Sequence, residues 1–156
     1  MITFKGKLTD HFTQEDYHKD SAEVPITKDA YIFAQCLEDF RVWLSRTMNI
    51  HCWYRTYKEN KAAGGVSSSN HMKGCACDFD IKNVTVDRAR FVKYATKWAR
   101  ICKAHGKTGD AGLYSWGLHL GIQTTDQEHI NNYKFFHWDS RTGTQINKPF
   151  AELNNL

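Results

Sequence analysis

Two segments with apolar residues on one side only set the strongest limit on how this chain folds. From Thr27 to about Ser45, Ile32, Cys36, Phe40, Trp43 and Leu44 recur three and four residues apart, which predicts a helix with one apolar face. A second stripe, Phe91, Ala95, Trp98 and Cys102, predicts another long helix, with Thr85 as its cap and Gly106 just past its end. Both helices need something flat and apolar to cover. Asn49–Tyr54, Cys75–Ile81, Leu113–Gln123 and Tyr133–Trp138 read as short strands, the last two as a hairpin joined by the polar stretch Thr124–Asn132. These readings predict an α+β fold, a small antiparallel sheet with packed helices. Lys58–Asn70, around Gly64-Gly65, reads as a long polar loop, and the tail from Ser140 as loosely packed.

The 156 residues fit a single domain over 1–156, with 1–25 as an irregular lead-in that ends at Pro25. Within it, Thr13-Gln14-Glu15-Asp16 resembles a capping box. No apolar run is long enough to cross a bilayer, and Met1–Asp10 has no apolar signal core. The expectation is a protein made in the cytoplasm that reaches any target outside it through lysis, a pore or another protein. The net charge of +4 suits a polyanionic partner without selecting one, and the cations form no dense run, so nucleic acid is not an expected partner. Cys36, Cys52, Cys75, Cys77 and Cys102 are expected as reduced, mostly buried thiols.

The chemistry concentrates in Ser69-Asn70-His71-Met72-Lys73-Gly74-Cys75-Ala76-Cys77-Asp78. A neutral imidazole and a carboxylate are both good zinc ligands. With His71 ending a loop and Asp78 on a strand, the chain must turn between them, and Gly74 allows that turn. Ala76 is small, as expected beside a metal, and Asp78 and Asp80 share one strand face with Phe79 on the other.

This string reads Ser-x-His-x-x-Gly-x-Ala-x-Asp and resembles the signature of the M15 family of zinc peptidases. That family includes D-alanyl-D-alanine carboxypeptidases and L-alanyl-D-glutamate endopeptidases, phage endolysins among them. Trp53-Tyr54-Arg55-Thr56, Asn60 and Gly64-Gly65 look like the segment that precedes the family's histidine motif. Gly112-Leu113-Tyr114 followed by His119 is similar to its strand leading into the third ligand, and Leu8–Thr13 to the start of its domain. The resemblance implies a hedgehog/DD-peptidase-like fold and one Zn2+ held by His71, Asp78 and a later histidine. His119 is favoured for that position, because small glycines flank it; His137, in Phe136-His137-Trp138-Asp139-Ser140-Arg141, is the competitor or else an acid/base group. Arg55 is expected to hold an oxyanion or a terminal carboxylate. Ser69 and Tyr114 are expected to bind substrate, Ser69 alternatively to orient His71.

One departure stands out. The position three before His119, where many members carry the general base, is Trp116, so the base is sought in Asp139 and His137, then Asp80. The implied activity is hydrolysis of peptide bonds in peptidoglycan stem peptides, as in a phage or prophage lysis enzyme. The alternative is a zinc-bearing module that binds wall peptides without cutting them. A thiol enzyme built on Cys75 or Cys77 is a further rival.

Overall fold

The computed structural model describes residues 2–3, 6–19 and 25–156. Of the expected lead-in, residues 1, 4, 5 and 20–24 lie outside the described residues. The rest gives β1 (Ile2–Thr3), α1 (Gln14–Tyr17), opened by the expected capping box between Thr13 and Asp16, and β2 (Pro25–Ile26), antiparallel to β1. The chain continues through α2 (Lys28–Leu44), β3 (Met48–Cys52), α3 (Tyr57–Ala62), a 3-10 turn (Asn70–Lys73), β4 (Ala76–Ile81) and α4 (Arg88–Ala104). β5 (Gly109–Leu113), β6 (Leu118–Ile122), α5 (Thr125–Ile130), β7 (Phe136–Asp139), β8 (Ile146–Asn147) and a final 3-10 turn (Ala151–Leu153) complete it.

Both predicted helices form where the stripes place them. Thr27 caps α2, its hydroxyl accepting from the Ala30 N–H. The cap of α4 is Asp87 rather than Thr85: a carboxylate next to the first turn satisfies the Arg90 N–H at 2.8 Å. The two helices lie on one face of a six-stranded sheet of order β3-β4-β6-β5-β7-β8. Phe33 and Phe40 from α2 meet Trp98 from α4 edge to face at 5.7 and 6.0 Å, and Phe40 meets Phe79 of β4 at 6.2 Å. Cys77, Phe79, Ile81, Leu118, Leu120 and Ile122 complete this buried layer. By alternation, Asp78, Asp80, His119, Asp110 and Gly112 point to the other face.

The α+β class holds, with four corrections of detail. The sheet is mixed, because β5 and β7 run parallel while every other pairing in it is antiparallel. The expected Leu113–Gln123/Tyr133–Trp138 hairpin does not form. Leu113–Gln123 is broken by a turn in which the Tyr114 N–H donates to the Gly117 carbonyl, so the hairpin is β5–β6, and β7 adds to the far side of β5. The connection contains α5, whose Thr124–Gln127 capping box was present in the sequence. The Lys58–Asn70 loop begins as α3, capped by Thr56 and Glu59. The tail is not loose: Phe150 and Leu153 are buried in the main core.

Candidate metal centre

The site is built where β3, β4, β5 and β6 present their uncovered face. Ser69 caps the 3-10 turn, its Oγ accepting from the His71 N–H at 3.3 Å, and Gly74 ends that turn at φ +69°, a conformation L side chains rarely adopt. The turn is tied to the end of β3. The Arg55 N–H donates to the His71 carbonyl at 3.0 Å, and the Trp53 Nε1–H to the Gly74 carbonyl at 2.9 Å. His71 Nδ1 donates to the Trp53 carbonyl at 2.7 Å, which leaves Nε2 to face Asp78 Oδ2 at 3.3 Å.

Asp78 sits directly across the β4–β6 ladder from His119. His119 Nδ1 donates to Asp78 Oδ1 at 2.9 Å. The other ring nitrogen, Nε2, stands 3.3 Å from Oδ1 of Asp110 on β5, an oxygen buried without any other hydrogen-bond partner. The carboxylate of Asp110 lies over Gly121, where a Cβ would run into it. Gly117 is likewise constrained by the backbone of Phe79. The glycines flanking His119 thus make room for a carboxylate and a neighbouring strand, which corrects the expectation that they make room for the metal itself. Trp138 closes the far wall, its ring 4.9 Å from that of His119 and its Nε1–H donating to the Tyr114 hydroxyl at 3.1 Å.

The electrostatics follow from this packing. Burial acts to raise the Asp78 pKa, but the hydrogen bonds and charge of His119 and His71 outweigh it and hold the carboxyl well below the usual carboxylate range. Burial likewise acts to lower the His119 pKa, but hydrogen bonds to Asp110 and Asp78 push it up to about 10. His71 is shifted upward too, by Asp78 and Cys52 against burial. Burial keeps the Tyr114 hydroxyl protonated, reinforced by the charges of Asp78 and Asp110.

Arg55 reaches the centre: its Nη2 lies 3.5 Å from Asp78 Oδ2, and its Nε donates to Cys52 Sγ at 3.1 Å. Cys52, not singled out from the sequence, stands opposite Asp78 after a register slip in β3, and its sulfur groups with His71 and Asp78 as atoms able to ligate one ion. The sulfur approaches the Nδ1 side of His71, at 3.8 Å, where the Trp53 carbonyl already binds. The same slip lets His51 pair with Asp80, whose other oxygen accepts from the Asn49 amide. His51 stacks at 5.1 Å on Trp116, which stacks at 4.9 Å on Tyr114.

Two expected residues are not brought here. His137 is fully buried on the helix-covered face, bonded through Nε2 to Asn154 and packed on Phe150; it faces away from His119 because β7 turns Trp138 toward the site instead. Asp139 shares that parity and is held by Arg141 through Nε, Nη2 and the backbone N–H. Neither is placed to serve as ligand or base. Cys75 and Cys77 are buried in the core, and burial pushes the Cys75 thiol up to about 12, so neither is placed as a nucleophile. Asp110 and His51 escaped sequence reading because their roles depend on which strands become neighbours.

Cys52, His71 and Asp78 present ligand atoms close enough together to hold one divalent ion, and His119 adjoins them through Asp78. Two imidazole nitrogens from separate elements converge on one carboxylate, the remaining nitrogen of each ring is tied to a carbonyl or a carboxylate, and an otherwise orphaned buried oxygen stands behind His119.

A family model described as Peptidase M15 matches residues 10–118, a span that takes in Arg55, His71, Asp78 and Asp110 and stops one residue short of His119. No curated protein matches the chain. With most of its length matched, and with a mixed α+β fold of the expected kind, the chain belongs to the peptidase M15 family.

Proposed function

We propose that this peptidase is zinc-dependent and hydrolyses a peptide bond in peptidoglycan stem peptides. The observation that carries the reading is the position of the Asp78 carboxylate, between Nε2 of His71 and Nδ1 of His119. His71, Asp78 and His119 would hold the ion, leaving a corner open for solvent. Bound zinc supplies Lewis acidity and lowers the pKa of water to about 7 from near 16.

The chain's own groups take the remaining roles. Arg55 presents its guanidinium beside Asp78, where it can hold the oxygen on which negative charge develops or the terminal carboxylate of a stem peptide. Asp110 keeps the His119 ring turned so that Nδ1 faces inward. Trp138 and Tyr114 exclude water from one side. With Trp116 at the usual base position, proton transfer falls to the His51–Asp80 pair on the same sheet face, the imidazole propped by the Trp116 ring and its Nε2 held by the carboxylate. A cleft of about 720 Å³, lined by Glu15, Asp16, His51 and Tyr54 among others, meets the centre at Cys52 and Arg55. β3 is an edge strand of the main sheet, so an extended peptide has a backbone to lie along. Peptidoglycan and a lysis setting of phage or prophage type rest on the resemblance of the Ser69–Asp78 motif to wall-cutting members.

Incubating the zinc-loaded protein with soluble muropeptides and following the products by mass spectrometry tests the reading. Cleavage that stops on chelation and returns with zinc is the expected result. Intact muropeptides at full zinc occupancy would overturn it in favour of a binding module.

A further inference from the structure

Along the sequence the cations look scattered, but six of the 21 fall on one helix. α4 carries Arg88, Arg90, Lys93, Lys97, Arg100 and Lys103, and no carboxylate. Its buried residues, Phe91, Ala95, Trp98 and Cys102 among them, point into the core. Arg90, Lys93, Lys97 and Arg100, three and four positions apart, therefore fall within about a quarter of the helix circumference on the outward side, and Lys103 extends the row. At 1.5 Å per residue the row is about 20 Å long. Its neighbours stand roughly 5–6 Å apart, a like-charge spacing that destabilises an isolated helix.

The nearby carboxylates do not neutralise it. Asp87 caps the helix, Glu152 pairs with Arg88 at 2.8 Å, Asp39 with His105 at 2.7 Å and Asp29 with Lys107 at 2.8 Å, while Glu128 accepts from the Thr108 N–H. Among the described residues no carboxylate pairs with Lys93, Lys97, Arg100 or Lys103. Both ends of the row open into hollows, the first edged by a further cation and the second by the Asp29-paired Lys107 and by Glu128. Arg46 joins Arg90 and Lys93 around about 330 Å³, and Lys107 joins Arg100 and Lys103 around about 360 Å³.

We infer that the outer face of α4 binds a linear polyol-phosphate polyanion of the bacterial wall, and so tethers the enzyme to an insoluble substrate. This rests on the wall-peptidase reading above. A row of cations at regular spacing complements a chain of regularly spaced phosphates. A nucleic acid fits less well. The one indole beside the row, Trp43, has Lys93 Nζ and Lys97 Nζ over its ring at 5.9 and 5.7 Å, so it is not free as a stacking platform for bases. A bilayer fits less well too, because none of the large exposed apolar side chains belongs to α4. The row lies on the helix side of the sheet and the metal centre on the other, so both can be occupied at once.

The test uses the full chain and fluorescently labelled poly(glycerol phosphate), with binding followed by anisotropy across a salt series. Wild type should bind with an affinity that falls steeply with salt. K93E/K97E/R100E/K103E should bind on the order of a thousandfold more weakly at low salt. The milder K93Q/K97Q/R100Q/K103Q, with its melting temperature checked, guards against a folding artefact and should lose binding in the same direction. Unchanged binding by the folded variants, salt-independent binding by wild type, no binding by wild type, or tighter binding of an oligonucleotide or of anionic vesicles would each overturn the proposal. Cleavage of a soluble muropeptide by the variants should equal that of wild type. If wild type itself fails to cleave, the peptidase reading falls, while the anisotropy result still decides the tether.

Discussion

The two faces of the main sheet are made by the same strands and do opposite things. On the face under α2 and α4, β4 contributes Cys77, Phe79 and Ile81, all buried against aromatic rings. On the other face the same strand contributes Ala76, Asp78 and Asp80, and two of those three carry charge. The covered face is held by dispersion and water exclusion, which tolerate some repacking. The uncovered face is held by charge and direction, and Asp78 is useful only because His71 and His119 each spend one nitrogen elsewhere. A single residue of parity decides which regime a side chain joins. In β7 it sends Trp138 to the site and His137 into the core.

The sharpest way to break this contrast is to exchange histidines. His71→Ala, Asp78→Ala and His119→Ala should each abolish stoichiometric zinc and activity while the fold persists, as read by elemental analysis and circular dichroism. His137→Ala should keep the metal and instead lose about 1–3 kcal/mol of stability, because its fully buried ring, packed on Phe150, leaves a void in the core. If His137→Ala strips zinc and His119→Ala retains it, the assignment of the faces is wrong. Phe79→Ala, one position from Asp78, should cost about 3–5 kcal/mol in denaturant unfolding, the cost of a cavity under two helices. His51→Ala should lower kcat by about a hundredfold with zinc content unchanged; full activity would remove the His51–Asp80 pair from proton transfer.

Smaller effects sharpen the comparison further. Asp110→Asn should weaken zinc binding by about 10–100-fold in chelator competition, since the ring of His119 loses its charged support. The last test is pH. In the metal-free protein the His119 pKa is raised, so its stabilising contribution is complete below the ordinary histidine value and is lost as pH rises towards about 10. The melting temperature of the metal-free form should fall across that window. Zinc, which displaces the proton, should bind more tightly as pH rises, with proton release visible by calorimetry in buffers of different ionisation enthalpy. A metal-free melting temperature that stays flat between pH 7 and 10 would contradict the charged His119–Asp78–Asp110 cluster.

Much of this was legible where the information is local. The helix stripes, the turn at Gly74 and the shared parity of Asp78 and Asp80 each depend on a few consecutive residues, and the structure has them as read. What the sequence left open was pairing. Choosing between His119 and His137 requires knowing that β7 joins β5 in parallel rather than folding back on β6, and nothing within either segment encodes that. Asp110 lies nine residues before His119 along the chain and acts only because β5 and β6 become neighbours. The Thr124–Gln127 cap was readable and would have exposed the helix that breaks the expected hairpin.

The cross-lacing of residues 53–55 with the His71–Gly74 turn has a consequence for how this enzyme can vary. The imidazole is moored to the end of β3 by its ring, its carbonyl and the Trp53 indole, and not by the exposed run Ser67-Ser68 just before it. That run is therefore where the chain can accept inserted residues or a protease nick without disturbing the ligand. The loop length is free to drift while the geometry of the donors stays fixed.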